Sequence, residues 1–308
     1  MKFTNMDIIS MKDFSRDMID HILDTAEKLE PVARGKERSD ILQGLVLSLL
    51  FFEPSTRTRM SFESAMVRAG GSVLNMGSVE ASSISKGETL ADTIRVIDGY
   101  ADAIVLRHPK EGSARMAAEY SSVPVINAGD GAGQHPTQTL LDLYTIRRES
   151  HLEGIKIAIA GDLKYGRTAH SLCYALSLYG ADITLVSPES LRMPEEIIED
   201  LRSHDINVYQ TSSMEEVISD IDVLYATRIQ KERFPDPTEY QKVAASLKIV
   251  PQLLDEAKEG LKIMHPLPRI NEIDPQIDET PHATYFRQSF YGVPVRMALL
   301  SLVMGREP

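Results

Sequence analysis

The chain has one cysteine, Cys173, in 308 residues, so it forms no internal disulfide and has no cysteine cluster to hold a structural zinc. Cys173 lies among Leu172, Tyr174 and Leu176 in a helical pattern, where a small buried residue is expected rather than a nucleophile. No apolar run approaches the roughly 20 residues that span a bilayer, and Met1 to Asp7 lacks the apolar core of a signal peptide, so a cytoplasmic protein without membrane contact is expected. Basic residues are outnumbered 33 to 45, and the formal charge of -12 excludes general affinity for nucleic acid, which needs a basic face. An anionic ligand must then be drawn by a local basic cluster.

Familiar cofactor signatures are missing too. No G-x-G-x-x-G follows any expected strand, which argues against a dinucleotide. Gly161 to Thr168 imitates a nucleotide-binding loop, a glycine and four residues before Gly166, but Arg167 stands where the essential lysine would be. No spacing of His, Asp and Glu marks a metal site. Neither metal nor cofactor is expected.

What is present is ordinary in amount and informative in order. Hydrophobic residues make up 43% and charged residues 25%, as in a globular protein. A chain of this length is expected to form two domains of about 150 residues each. Strand and helix patterns alternate nearly throughout, the signature of an α/β protein built on parallel sheets. In the first half, strands are expected near 45–52, 72–76, 103–107 and 123–126, with helices near 14–30, 57–69, 88–99 and 111–119. In the second half, Lys156 to Ala160, Asp182 to Val186, Ile206 to Tyr209, Ile221 to Ala226 and Lys262 to His265 read as strands. Pro136 to Arg148 reads as one long helix crossing between the halves, and Val295 to Met304 as a final apolar helix. Two loops, Gly77 to Glu88 and Arg228 to Pro237, are long enough to be functional or mobile.

The chemistry concentrates where strands end. Leu45 to Phe52 is the most apolar run, suited to a strand covered on both faces, and Pro54 stops it. Met60, Ala65, Met66 and Ala69 then recur at near-helical spacing, with Ser55 or Thr56 as the N-cap. The N–H groups of that helix end, the hydroxyls of Ser55, Thr56 and Thr58, and the guanidinium of Arg57 suit a tetrahedral dianion. The alternative is a plain helix cap beside two solvated arginines.

Five more polar turns follow expected strands: Arg107-His108-Pro109; Gly129-Asp130-Gly131 leading to Gln134 through Gln138; Gly161 to Thr168; Thr227 to Gln230; and His265-Pro266-Leu267-Pro268-Arg269. In open parallel sheets ligands bind beyond the carboxyl ends of strands, so these turns are expected to line a site. Taken singly, His135 suits a cap or packing role, and His265 beside prolines suits a rigid turn with exposed carbonyls.

Together with Lys86-Gly87-Glu88-Thr89, these motifs occur in an order that resembles the catalytic chains of the aspartate carbamoyltransferase family, across practically all 308 residues. The resemblance implies the aspartate/ornithine carbamoyltransferase fold, two domains each with a parallel sheet flanked by helices. A carbamoyl-phosphate-binding domain would comprise residues 1–134 plus 290–308, and an aspartate-binding domain 135–289. It implies transfer of a carbamoyl group from carbamoyl phosphate to the α-amine of L-aspartate, in pyrimidine biosynthesis. Carbamoyl phosphate would be held by Ser55, Thr56, Arg57, Thr58, Arg107, His135, Gln138, Leu267 and Pro268. Aspartate would be held by Lys86, Arg167, Arg228, Gln230, Pro266 and Leu267. Arg57, Thr58, Arg107 and His135 would be the catalytic set. In the family a serine loop enters a neighbouring subunit's active site; here its serine is Ser82 or Ser83, followed by Lys86. That implies a homotrimer with shared sites and leaves room for separate regulatory chains. Tyr291 departs from the pattern, which has asparagine there.

Two other readings compete. A sister enzyme carbamoylates ornithine, but its turn has a cysteine where Pro266 stands, and Arg167 and Arg228 repel an ammonium tail. A silent binding protein on the same fold would be expected to lose its site charges, because a buried arginine without a ligand is costly.

Overall fold

The computed structural model describes residues 3–77, 86–131, 133–204, 206–229, 240–241 and 247–308. They fall into two compact units, one of Met1–Leu141 with Phe290–Pro308, the other of Asp142–Ser289. Both divisions fall inside helices, α5 (Pro136–Glu149) and α8 (Tyr285–Val303).

Unit 1 opens with α1 (Arg16–Ala33), capped by the Ser15 hydroxyl, which accepts from Met18 N at 3.3 Å. There follow β1 (Val46–Phe51), α2 (Thr56–Arg68), β2 (Ser72–Asn75), α3 (Leu90–Asp98), β3 (Ala103–His108), α4 (Ser113–Tyr120), β4 (Val125–Asp130) and α5. The sheet runs β2-β1-β3-β4 and every pairing is parallel. Its interior strand β1 is buried from Leu47 through Leu50, Ser48 included, as expected of a strand covered on both faces. One side of the core gathers Leu50, Ile94, Ile104, Leu106, Ala117 and Val125.

β4 starts two residues later than the apolar pattern suggests. Pro124 offers a carbonyl to Ile104 N (2.9 Å) but has no N–H to give, and the first donor, Val125 N, is taken by the Asp7 carboxylate at 2.8 Å. The last helix differs more. It begins at Tyr285, ten residues before the expected Val295, and runs through Gly292 and Pro294. Burial overrides both breakers: Val295, Met297, Ala298 and Leu299 are all 0% exposed. At Gly292 a Cβ would come within 2.1 Å of Arg296 Nη1, so a larger residue there would displace that guanidinium. Arg296 is itself buried, with its guanidinium 5.0 Å from the Phe62 ring centre.

Unit 2 contains β5 (Lys156–Ala160), α6 (Arg167–Ser177), β6 (Asp182–Val186), α7 (Glu195–Ser203), β7 (Val208–Thr211), β8 (Val223–Ala226), β9 (Lys262–Met264) and the start of α8. Its sheet runs β7-β6-β5-β8-β9, again parallel throughout. Cys173 lies fully buried in α6, where burial pushes its thiol up to about 12, so it stays a neutral packing group. Strand order reverses between β1 and β3 in unit 1 and between β5 and β8 in unit 2. At such a switch point two loops leave the carboxyl edge in opposite directions and open a crevice.

Candidate active site

In unit 1 the switch point is the edge where β1 ends at Phe51, in register with Arg107 on β3. Phe52 N donates to Arg107 O at 2.8 Å, so the turn leaving β1 is fastened to the strand that carries the arginine. The next helix starts at Thr56. Ser55 occupies the N-cap with extended backbone (φ -157°, ψ 95°), yet its side chain makes no capping hydrogen bond. The hydroxyl therefore satisfies none of the first-turn N–H groups, while Arg57 and Arg59 are exposed, as the plain-cap alternative also expects. Thr58 is half-buried, Thr56 and Arg57 are exposed.

Arg107 is held from two sides. Its Nη2 lies 2.6 Å from Glu53 Oε1, and Nη1 donates to Ala128 O at 3.0 Å. Its Nε is buried with no hydrogen-bond partner among the described residues. Partial burial first, and the charge of Arg107 second, hold Arg57 below the ordinary arginine value. Two guanidinium groups that repel one another beside a helix N-terminus leave a concentration of positive charge that an anion would relieve. Neighbouring His108 is neutral, because burial lowers its pKa; its Nδ1 accepts from Lys110 N at 3.0 Å.

The turn after β4 is built on Asn127 and Asp130, whose importance the sequence signalled only as an aspartate between two glycines. Asn127 Nδ2 donates to Ile9 O (3.0 Å) and Asp130 Oδ1 (3.1 Å). Asp130 also accepts from Gly112 N and Gln134 N, both at 2.9 Å. These bonds deliver His135 to the start of α5, where it is 6% exposed, its Nδ1 3.4 Å from Thr137 Oγ1 and its carbonyl accepting from Gln138 N at 2.9 Å. Gln138 is half-buried one turn along. Lys86 is exposed ahead of α3. Ser82 and Ser83 lie outside the described residues.

In unit 2 the switch point carries the other two arginines. Arg167 is the first residue of α6, and Arg228 follows β8 by two positions; both are half-buried. The loops that bear them touch at Gly161, where φ is +129° and a Cβ would fall 2.2 Å from Thr227 Oγ1. Thr227 N and Oγ1 both donate to Ala160 O, at 2.7 and 3.1 Å. Asp162 Oδ1 accepts from Tyr165 N at 3.1 Å, and His170 Nε2 donates to Leu163 O at 2.7 Å, which fixes the loop ahead of Arg167. Gln230 lies outside the described residues.

The turn after β9 puts Pro266 and Leu267 half-buried and Pro268 exposed, with a cis bond between Leu267 and Pro268. Leu267 N donates to His265 Nδ1 at 2.9 Å. Arg269 closes the turn by pairing with the Asp278 carboxylate and donating to Tyr285 Oη at 3.0 Å. His265 is 1% exposed and so braces the turn from within. Among the described residues no group of three or more His, Cys, Asp or Glu side chains is arranged to hold a metal ion. No described helix is long and apolar enough to cross a membrane.

Two parallel sheets, each presenting paired cations or polar turns at its switch point, define an α/β protein made for small anionic ligands. Comparison with known families narrows the class. The profile described as aspartate/ornithine carbamoyltransferase, carbamoyl-P binding domain, matches residues 6–148, and that of the Asp/Orn binding domain matches 153–303. The chain belongs to the aspartate/ornithine carbamoyltransferase family. It is 72% identical over 305 residues to the aspartate carbamoyltransferase catalytic subunit of Methanococcoides burtonii, covering 99% of each chain. It is 69% identical over 305 residues to that of Methanosarcina barkeri, again covering 99% of each. Among solved structures, the catalytic subunit of M. jannaschii aspartate transcarbamoylase superposes with a TM-score of 0.93 at 57% identity, over 98% of this chain and 99% of that one. The Trypanosoma cruzi aspartate transcarbamoylase, in complex with carbamoyl phosphate and aspartate, superposes with a TM-score of 0.92 at 43% identity, over 98% of each chain.

Proposed function

We infer that this chain is an aspartate carbamoyltransferase: it moves the carbamoyl group of carbamoyl phosphate to the α-amine of L-aspartate, giving N-carbamoyl-L-aspartate and phosphate on the route to pyrimidines. The observation that carries this reading is full-length identity of 72% to a catalytic subunit of that name, joined to four arginines at the switch points of two sheets.

Unit 1 supplies the acyl-phosphate half. Ser55, Thr56, Arg57 and Thr58 take the phosphate at the start of α2, with Arg107, His135 and Gln138 around the carbamoyl group. Unit 2 supplies the amino-acid half. Arg167 and Arg228 each present a planar fork to a carboxylate, two forks for a dicarboxylate, helped by Gln230 and Lys86. The carbonyls of Pro266 and Leu267, with Pro268, orient the amines.

The amine nitrogen attacks the carbonyl carbon, and the carbon–nitrogen bond forms as negative charge moves to the carbonyl oxygen. Thr58, Arg107 and His135 donate to that oxygen; preorganised donors of this kind lower a barrier by about 3 kcal/mol each. The carbon–oxygen bond to phosphate then breaks, Arg57 stabilises the leaving dianion, and the phosphate takes the amine proton. Positioning and electrostatics supply most of the acceleration, and no side chain is needed as a dedicated base.

The functional assembly is a cytoplasmic homotrimer in which Ser82 or Ser83, together with Lys86, completes a neighbour's site. Supporting this, unit 1 exposes Met60 and Val67 on α2, Leu74 on the edge strand β2, and Val96 and Tyr100 on and after α3, apolar surface suited to another copy. The relatives' designation as catalytic subunits fits separate regulatory chains as further partners. A ureido-product assay with carbamoyl phosphate and either aspartate or ornithine, run side by side, tests the reading. Product with aspartate alone is expected; product with ornithine alone, or with neither, would sink it.

A further inference from the structure

A buried hydrogen-bond relay in unit 2 reaches the three segments of that unit assigned above to aspartate. The Tyr225 hydroxyl donates to Asp142 Oδ2 at 2.8 Å, and Gln288 Nε2 donates to Asp142 Oδ1 at 2.7 Å. Gln288 Oε1 accepts from His265 N at 2.8 Å, and His265 Nδ1 accepts from Leu267 N at 2.9 Å. At the other end the Thr168 hydroxyl bonds the Tyr225 oxygen. Thr168 adjoins Arg167, Tyr225 stands three residues before Arg228, and Leu267 belongs to the carbonyl turn. Tyr225, Asp142, Gln288 and His265 are each no more than 1% exposed, so water does not compete for these bonds.

The direction of the relay depends on its centre. A carboxylate only accepts, so it receives both the tyrosine hydroxyl and the glutamine amide N–H. That fixes the Gln288 amide with Oε1 toward His265, the one orientation in which the His265 N–H finds an acceptor. Burial first, and the negative charge of Asp142 next, push the Tyr225 hydroxyl well above the ordinary tyrosine value, so it stays protonated and donating. An amide at position 142 satisfies one of the two donors and presents an N–H to the other.

We propose that Asp142 is a positioning residue for amino-acid binding: it touches no substrate, and it sets the polarity of a relay that holds the Pro266–Leu267 turn and the bases of the Arg167 and Arg228 segments in register. This deepens the functional reading above and rests on it. The test is steady-state kinetics of the full-length protein with both substrates varied, for wild type, Asp142→Asn and Tyr225→Phe, alongside thermal unfolding. Both variants are expected to lose about tenfold or more in kcat/KM for aspartate, the cost of one misdirected bond to a charged group. The KM for carbamoyl phosphate is expected to change far less than that for aspartate, because Leu267 and Pro268 are the only carbamoyl phosphate contacts on a segment the relay holds. Tyr225→Phe keeps the packing and removes only a hydroxyl, so it decides the matter if Asp142→Asn does not fold. Unchanged aspartate kinetics in a folded variant, or parallel losses for both substrates in step with Tm, would overturn the proposal. Wild-type protein inactive with aspartate overturns the functional reading as well, and is told apart because the failure appears before any substitution.

Discussion

Arg107 and Glu53 form an ion pair of 2.6 Å at the carboxyl edge of unit 1, with the same guanidinium also donating to Ala128 O at 3.0 Å. The fork is thereby aimed before any ligand arrives, and preorganised donors need no rearrangement as charge develops. Lysine retains the charge but not the planar fork, so it can hold one of these anchors and not both. Arg107→Lys is expected to lower kcat by about 100-fold with the fold retained. Turnover near wild type, measured at saturating substrates, would remove Arg107 from the catalytic set.

Arg57 is exposed at the start of α2, so its removal takes nothing from the core. Arg57→Ala is expected to abolish turnover while leaving the assembly and Tm unchanged. Product formation and size-exclusion chromatography check the two halves separately. Normal activity in the variant would overturn the phosphate assignment.

Arg228 lies in unit 2, in the half assigned to aspartate. Arg228→Ala is expected to raise the apparent KM for aspartate, or lower kcat/KM, by about 100-fold, since a bidentate contact to a charged group is lost. Aspartate saturation curves identical to wild type would exclude the role.

Gly161 sits at φ +129°, and a Cβ there would come within 2.2 Å of Thr227 Oγ1 and 2.6 Å of Thr227 O. The second contact is backbone, which cannot swing away. Gly161→Ala is expected to destabilise the chain by about 3 kcal/mol or more. Urea unfolding measures this, and a variant as stable as wild type would show that the two loops do not approach so closely.

His170 is held below the ordinary histidine value of 6.5 by burial, which outweighs the opposing effect of its bond to Leu163 O. Above that value the imidazole is neutral both folded and unfolded, and the site contributes no pH dependence. As the pH falls below it, the unfolded chain takes up a proton that the folded chain resists, so stability is lost down to the depressed folded value. His108 behaves alike. Unfolding free energy is therefore expected to fall as the pH drops below the ordinary histidine value of 6.5, and less steeply in His170→Gln. An equal slope in the variant would show that His170 does not titrate in this way.

Much of the fold is legible from neighbours in sequence. β1 and α2 follow from an unbroken apolar run, a proline and a helical period, because these preferences act over a few residues. Boundaries were less legible where a distant partner decides them. Val125 starts β4 because Asp7, 118 positions away, takes its N–H. Tyr285 starts α8 because packing overrides Gly292 and Pro294, residues that break a helix standing alone.

The α/β class, the parallel sheets and the family can be read along the chain, since strand, turn and helix signals are local and the motifs keep their order. Tertiary structure alone decided that the Ser55 hydroxyl caps nothing, that Glu53 aims Arg107, and that Asp142 meets Gln288 across 146 positions. The physical reason is that a hydrogen bond is fixed by separation in space and by what else competes for the donor, and composition along the chain encodes neither.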